Sequence, residues 1–239
     1  MCEKRCAFQI IKRCFLTGVV FVPLMVFSCQ SSEGDSYLVE NYPESARQYF
    51  IASSFEGGNQ VVGKWDKKKV SFSIKGFSDK NRDFIKATFY NLSLLKNLPL
   101  FMAVDNEADI SIRMPSSEVN FVNSHTLKQD LRGFTDFVKD KSGYFKTVRI
   151  GINPKQSDQN IQISLHHEIM HALGFLGHPE VDVKESSVLG VRYLGKMDPE
   201  NKISPIFPQI DQRCLELLYE ERMPIIIYRK QAEILLGLN

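Results

Sequence analysis

Residues 157–179 read Ser157-Asp158-Gln159-Asn160-Ile161-Gln162-Ile163-Ser164-Leu165-His166-His167-Glu168-Ile169-Met170-His171-Ala172-Leu173-Gly174-Phe175-Leu176-Gly177-His178-Pro179. Ser157 or Asp158 is placed to cap a helix running from about Gln159 to Leu173. At 3.6 residues per turn, His167 and His171 fall on one face, close enough to share one ion. Two neutral imidazoles so spaced can hold zinc at about 2.0–2.1 Å and leave room for a third protein ligand and a water. Glu168 is then within reach of that water as general base. Gly174 permits a positive φ that turns the chain back at the helix end, so His178 can close a triad on the same ion. Glu180 and Asp182 are alternative third ligands, but neutral imidazole is the better donor for zinc, which favours His178. Glu216 or Glu220 from a later helix would also complete a site, although that plan leaves Gly174 unexplained. His166 points about 100° away from His167 and reads as a packing residue.

Upstream, Lys69 to Ile74 alternates, with Val70, Phe72 and Ile74 on one face, which predicts a half-buried strand. Ser78 or Asp79 can cap a helix carrying Phe84, Ile85, Thr88, Leu92 and Leu95 and ending before Pro99. Ala108 to Met114 and Tyr144 to Ile152 alternate again and read as strands. The stretch 116–142, with a lone His125, is polar and poorly patterned and reads as loop with at most short elements. Residues 37–63 show no period. Beyond Met223, Ile225 to Ile227 suggests a short strand and Ala232 to Leu238 a short helix.

The chain has 239 residues, 43% apolar, 24% charged and 11% aromatic, enough to bury a core in one domain. Its formal charge of +2 supplies no field that argues for nucleic acid. Four of the five cysteines lie in the first 29 residues, where Lys4, Arg5, Lys12 and Arg13 precede an apolar run from Cys14 to Phe27. That run is short for a membrane span, and residues 1–28 read as a cleaved export signal. Removing its four Lys/Arg and one Glu from 30 and 28 leaves 26 against 27, a net charge of −1. Val26-Phe27-Ser28-Cys29 resembles a bacterial lipobox, which implies acylation of Cys29 and anchoring to a lipid membrane in the cell envelope. Cleavage by an ordinary signal peptidase would instead give a secreted protein. Residues 30–36 have the composition of a flexible spacer, and Cys214 among leucines reads as a buried thiol.

The segment His167 to His178 resembles the extended HExxHxxGxxH motif of the metzincin metallopeptidases, with HEIMHALGF especially similar to the astacin and matrixin branches. One departure stands out: the family's third ligand falls where this chain has Gly177, and His178 comes one residue later. The likeness extends over roughly 64–222. It includes Lys64-Trp65 before the first strand, the Ala108-Asp109-Ile110 pattern, and a closing helix ending in Leu218-Tyr219.

The resemblance implies an α+β zincin fold: a twisted mixed sheet with two long helices and a small C-terminal subdomain ending in a helix. It also implies a monomeric zinc endopeptidase acting on peptide or protein, with residues 29–63 as lead-in and 223–239 as a tail outside the catalytic domain. By the same likeness Met197 is the candidate for a methionine turn beneath the metal, and Tyr193 a weaker candidate for stabilising an intermediate. The strand carrying Tyr144, Val148 and Ile150 would be the edge that pairs with an extended substrate. The alternative function is a catalytically silent surface lipoprotein of the same fold that binds peptide, protein or glycan.

Overall fold

The computed structural model describes residues 34–55, 63–117, 131–179, 187–190, 203–225 and 227–238. Alternation builds its centre. Strand β1 (Lys69–Lys75) buries Val70 and Phe72, and β3 (Ile110–Arg113) buries Ile110 and Ile112. Helix α3 (Asp79–Ser93) starts at Ser78, whose side chain accepts from Asn81 N, and packs Phe84, Ile85, Phe89 and Leu92 inward. Phe89 stacks on Phe72 with ring centroids 4.3 Å apart, fixing the helix to the sheet. The chain then returns as β2 (Leu100–Ala103), parallel to β1. This strand was not anticipated, because only Phe101 of its four residues is buried and so short a run carries no period.

Two further strands complete a five-stranded mixed sheet of order β2-β1-β3-β5-β4. Strand β5 (Phe145–Ile152) runs parallel to β3, and β4 (Gly133–Lys139) runs antiparallel to β5 at the sheet's end. This overturns the expectation that the Tyr144–Ile152 strand is the free edge. Val148 stands opposite both Ile110 and Phe137, and Ile150 opposite both Ile112 and Thr135, so the β5 backbone is committed on both sides. Tyr144 forms only an isolated bridge to Lys64. The edge comes from the stretch read as polar loop. Its signal was weak because an edge strand facing solvent does not need clean alternation; Phe137 and Val138 are exposed. Phe134 of β4 lies across Gly151 of β5, where a Cβ would meet its ring at 2.1 Å.

The lead-in is part of the body. Helix α1 (Ser36–Asn41) begins at Asp35, which accepts from Leu38 N at 3.2 Å, and α2 (Glu44–Ser54) follows Pro43. Tyr49, Phe50 and Ile51 are consecutive and all buried, so α2 is enclosed on several sides and shows no amphipathic stripe. Its Arg47 is buried too, donating to Tyr42 O at 3.1 Å and to Leu236 O. Helix α4 (Asp158–Ala172) carries the histidines, α5 (Gln209–Leu218) closes the fold, and α6 (Arg229–Leu235) packs near α2. Neither Ile225 nor Ile227 lies in a strand, contrary to expectation, and α6 begins three residues before the predicted helix. Asp35 N donates to Leu235 O at 2.8 Å, so the tail and the lead-in meet within one core. The fold is α+β, and no helix among the described residues is long and apolar enough to cross a membrane.

Candidate metal centre

Helix α4 is held at both ends before any histidine is considered. At its start Ser157 accepts from Asn160 N, while Asp158 accepts from Lys80 at 3.2 Å and Asn81 at 3.1 Å. At its end two carbonyls that the helix leaves without partners are met from outside. The Trp65 indole donates to Ala172 O, and the Tyr219 hydroxyl donates to Leu173 O, each at 3.1 Å. His166 is fully buried between Phe84 and Phe207, with centroids at 5.0 and 4.7 Å, and burial pushes it down to about 3. Its packing role matches the sequence reading.

On a different face of α4 three imidazoles converge. His167 Nε2 lies 3.1 Å from His171 Nε2 and 3.0 Å from His178 Nε2. The other nitrogen of each helical histidine faces a carbonyl: His167 Nδ1 lies 3.1 Å from Val188 O, and His171 Nδ1 bonds Phe175 O. A carbonyl only accepts, so each Nδ1 carries the proton and each Nε2 presents a bare lone pair. Burial pushes His167 down to about 4 and His171 to about 3, so both are neutral at pH 7. Two bare lone pairs 3.1 Å apart cannot bond each other, but they can share a cation. Donors about 2.0–2.1 Å from one zinc ion stand a little over 3 Å apart, so the donor set fits that ion. His167, His171 and His178 form a group able to hold a metal among the described residues.

Gly174 earns its place twice. Its φ is +127°, and a Cβ there would lie 2.0 Å from Gly63 O. The returning chain is then pinned by Gly177 N donating to Ser53 O at 2.8 Å. The extra residue before His178 therefore sits in a segment anchored to the end of α2, and Gly177 itself takes no positive φ. The alternatives on α5 and just beyond it fall away. Glu220 accepts from Tyr42 and Asn97 at 3.1 and 3.0 Å, and Glu216 pairs with Arg213 at 2.9 Å. Glu180, Asp182, Tyr193, Met197, His125 and Cys29 lie outside the described residues.

Glu168 is 6% exposed, and burial pushes its carboxyl up to about 7 against the opposing hydrogen bond from Thr135. Thr135 Oγ1 lies 2.7 Å from Glu168 Oε2 and 3.0 Å from Glu168 O. Gly133, two residues earlier on β4, approaches so closely that a Cβ would meet Glu168 Cγ and Oε1 at 2.8 Å. A second support runs behind His167. Asp211 on α5 accepts from Val188 N at 3.0 Å, Ser187 Oγ at 2.8 Å and Tyr49 OH at 3.1 Å, holding the residue whose carbonyl meets His167. Cys214, three residues on, is a buried thiol donating to Ala46 O at 3.2 Å.

Sequence reading missed Gly133, Thr135, Val188 and Asp211. Two act through backbone or as an absent side chain, which no motif encodes. An acidic residue in the first turn of α5 looks like any helix-start carboxylate. Compared with known proteins, the chain matches no family model and no curated protein.

Proposed function

We propose that this chain is a zinc-dependent endopeptidase of the metzincin type, exported and anchored to a lipid membrane through Cys29. The observation that carries the reading is the convergence of three imidazole Nε2 atoms beside a buried carboxylate one residue along the same helix. A pure binding site has no use for Glu168 at that position. The positive φ of Gly174 also suits the glycine of the extended motif.

His167, His171 and His178 would hold the ion. Zinc, when bound, polarises a peptide carbonyl and makes its water acidic enough to attack near pH 7. Glu168 takes the proton of the attacking water and passes it to the departing amine, returning to its starting state. The carbonyls of Val188 and Phe175 keep both helical imidazoles in the tautomer that leaves Nε2 bare. An extended substrate would add by backbone hydrogen bonds to the outer edge of β4, which pairs with no strand among the described residues, the role that β5, paired on both sides, does not have.

Metal analysis with cleavage of a peptide library by wild type and Glu168→Ala tests the reading. Wild type should bind one zinc and cleave, and the variant should keep the zinc and lose about 10²–10⁴-fold in kcat. Full zinc loading with no cleavage of any peptide would defeat the enzyme reading and leave a surface binding protein.

A further inference from the structure

Strand β4 does two things at one place: it forms the sheet edge, and it touches the carboxylate of Glu168 through two residues on one face. Gly133 and Thr135 are two apart, so their side-chain positions lie on the same side of the strand. Gly133 contributes room, since a Cβ would stand 2.8 Å from Glu168 Cγ and Oε1. Thr135 contributes a bond, 2.7 Å from Oε2. Among the described residues Oε1 accepts no hydrogen bond, so the two carboxylate oxygens are not equivalent.

We propose that Thr135 is a positioning residue for the general base, binding Oε2 so that Oε1 is the oxygen that exchanges the proton. This inference rests on the peptidase reading for its catalytic consequence. The hydroxyl suits the task because it has one proton and two acceptor lone pairs. Toward a carboxylate, Thr135 donates to Oε2. Once Oε1 has taken a proton from water, Thr135 still donates its one proton to Oε2, with Glu168 O at 3.0 Å as the minor acceptor of a three-centre bond. When the proton leaves Oε1 for the amine nitrogen as the C–N bond breaks, the starting arrangement is restored with no net change at Thr135. Valine fills the same volume with no donor, whereas serine keeps the donor, and this pair of substitutions isolates the bond from the packing.

The same geometry links base to substrate. A peptide added to the outer edge of β4 would seat next to the strand that holds Glu168, so displacement of β4 would move substrate and base together. Holding a base to within a fraction of an ångström matters, because a misplacement near 1 Å can lower a rate about 10²-fold.

The test uses the full chain and two readouts. In metal-free protein selectively labelled at Glu168, side-chain scalar couplings report whether its χ1 and χ2 occupy one rotamer or average over several. In zinc-loaded protein, kcat and KM are measured for one cleaved peptide. Thr135→Val should show rotamer averaging at Glu168 and a kcat about 10–100-fold lower with unchanged KM and zinc content. Thr135→Ser should keep a single rotamer and stay within about threefold of wild-type kcat. Thr135→Ala serves as a second donor-free variant should valine disturb the strand. A single Glu168 rotamer in both donor-free variants, or wild-type kcat in both, overturns the proposal. Rotamer averaging in a protein whose wild type cleaves nothing would sink the peptidase reading while leaving the Thr135 contact established.

Discussion

The site has a helix-borne half and a half borne by loops and the edge strand, and they differ in how they are held. His167, Glu168 and His171 ride on α4, whose two ends are fastened and whose core face buries Leu165, Ile169 and Ala172. His178, the Val188 carbonyl and Thr135 come from three separate segments, set respectively by the Gly177 N bond to Ser53 O, the Val188 N bond to Asp211 and the pairing of β4 with β5. The helix fixes relative position by backbone geometry; the other half depends on the whole tertiary structure. Ligand spacing should therefore survive mutation on α4 and prove fragile elsewhere.

The largest effect should come from Gly174, where the halves join. Gly174→Ala puts a Cβ against Gly63 O at a strained φ and should destabilise by about 2–4 kcal/mol. At about 2–4 °C per kcal/mol for a chain of this size, melting should fall by roughly 4–16 °C. An unchanged melting temperature would mean that the turn is not the joint described.

Next come two histidines of the proposed metal site. His171→Ala and His178→Ala should each weaken zinc by more than the roughly 10–100-fold typical of a supporting contact. Competition with a zinc chelator measures this. His178 is exposed, so its variant should leave the metal-free melting temperature unchanged, whereas His171 is buried and its variant should lower it. Equal zinc affinity in wild type and His178→Ala would remove His178 from the set.

A smaller effect is expected at Asp211, which acts through Val188. Asp211→Asn should lower zinc affinity by about tenfold, read by the same competition. It should also change the pH dependence of stability. Burial pushes Asp211 up to about 7 from 3.8, so the folded state holds more protons than the unfolded one between those values. Its contribution is therefore most favourable below about pH 3.8 and declines as pH rises to about 7. Relative to wild type, the asparagine variant should lack that decline in a calorimetric pH series. Parallel curves would show that Asp211 does not titrate there.

The smallest effect should be at the C-terminus of α4. Tyr219→Phe removes the bond to Leu173 O and leaves Trp65 N without its 3.3 Å acceptor, costing about 1–2 kcal/mol in chemical denaturation. Zinc affinity should hardly change, because Leu173 lies beyond the last helical ligand.

Much of this was legible in the residues, and the exceptions share a cause. The strands at Val70, Ile110 and Val148 are buried on at least one face, so burial imposed a period that can be read. The helix at His167 has its cap and its ligand spacing written locally, and Gly174 announces the turn. By contrast β4 is half exposed, α2 is enclosed on several sides, and β2 is four residues long, so none has one buried face to mark a period. The clean alternation of β5 does not reveal that it is an inner strand, because β4, which covers it, has no such period.

A few adjacent residues were enough to place His167, Glu168 and His171 on one helix and to turn the chain at its end, because helical spacing and a glycine turn are local properties. Folding alone brings His178 to the other imidazoles, sets β4 at the end of the sheet, and puts Thr135 against Glu168 and Asp211 behind Val188. The placements of Thr135 and Asp211 depend on hydrogen bonds between residues 23 to 162 positions apart, set by the packing of sheet, helices and lead-in together.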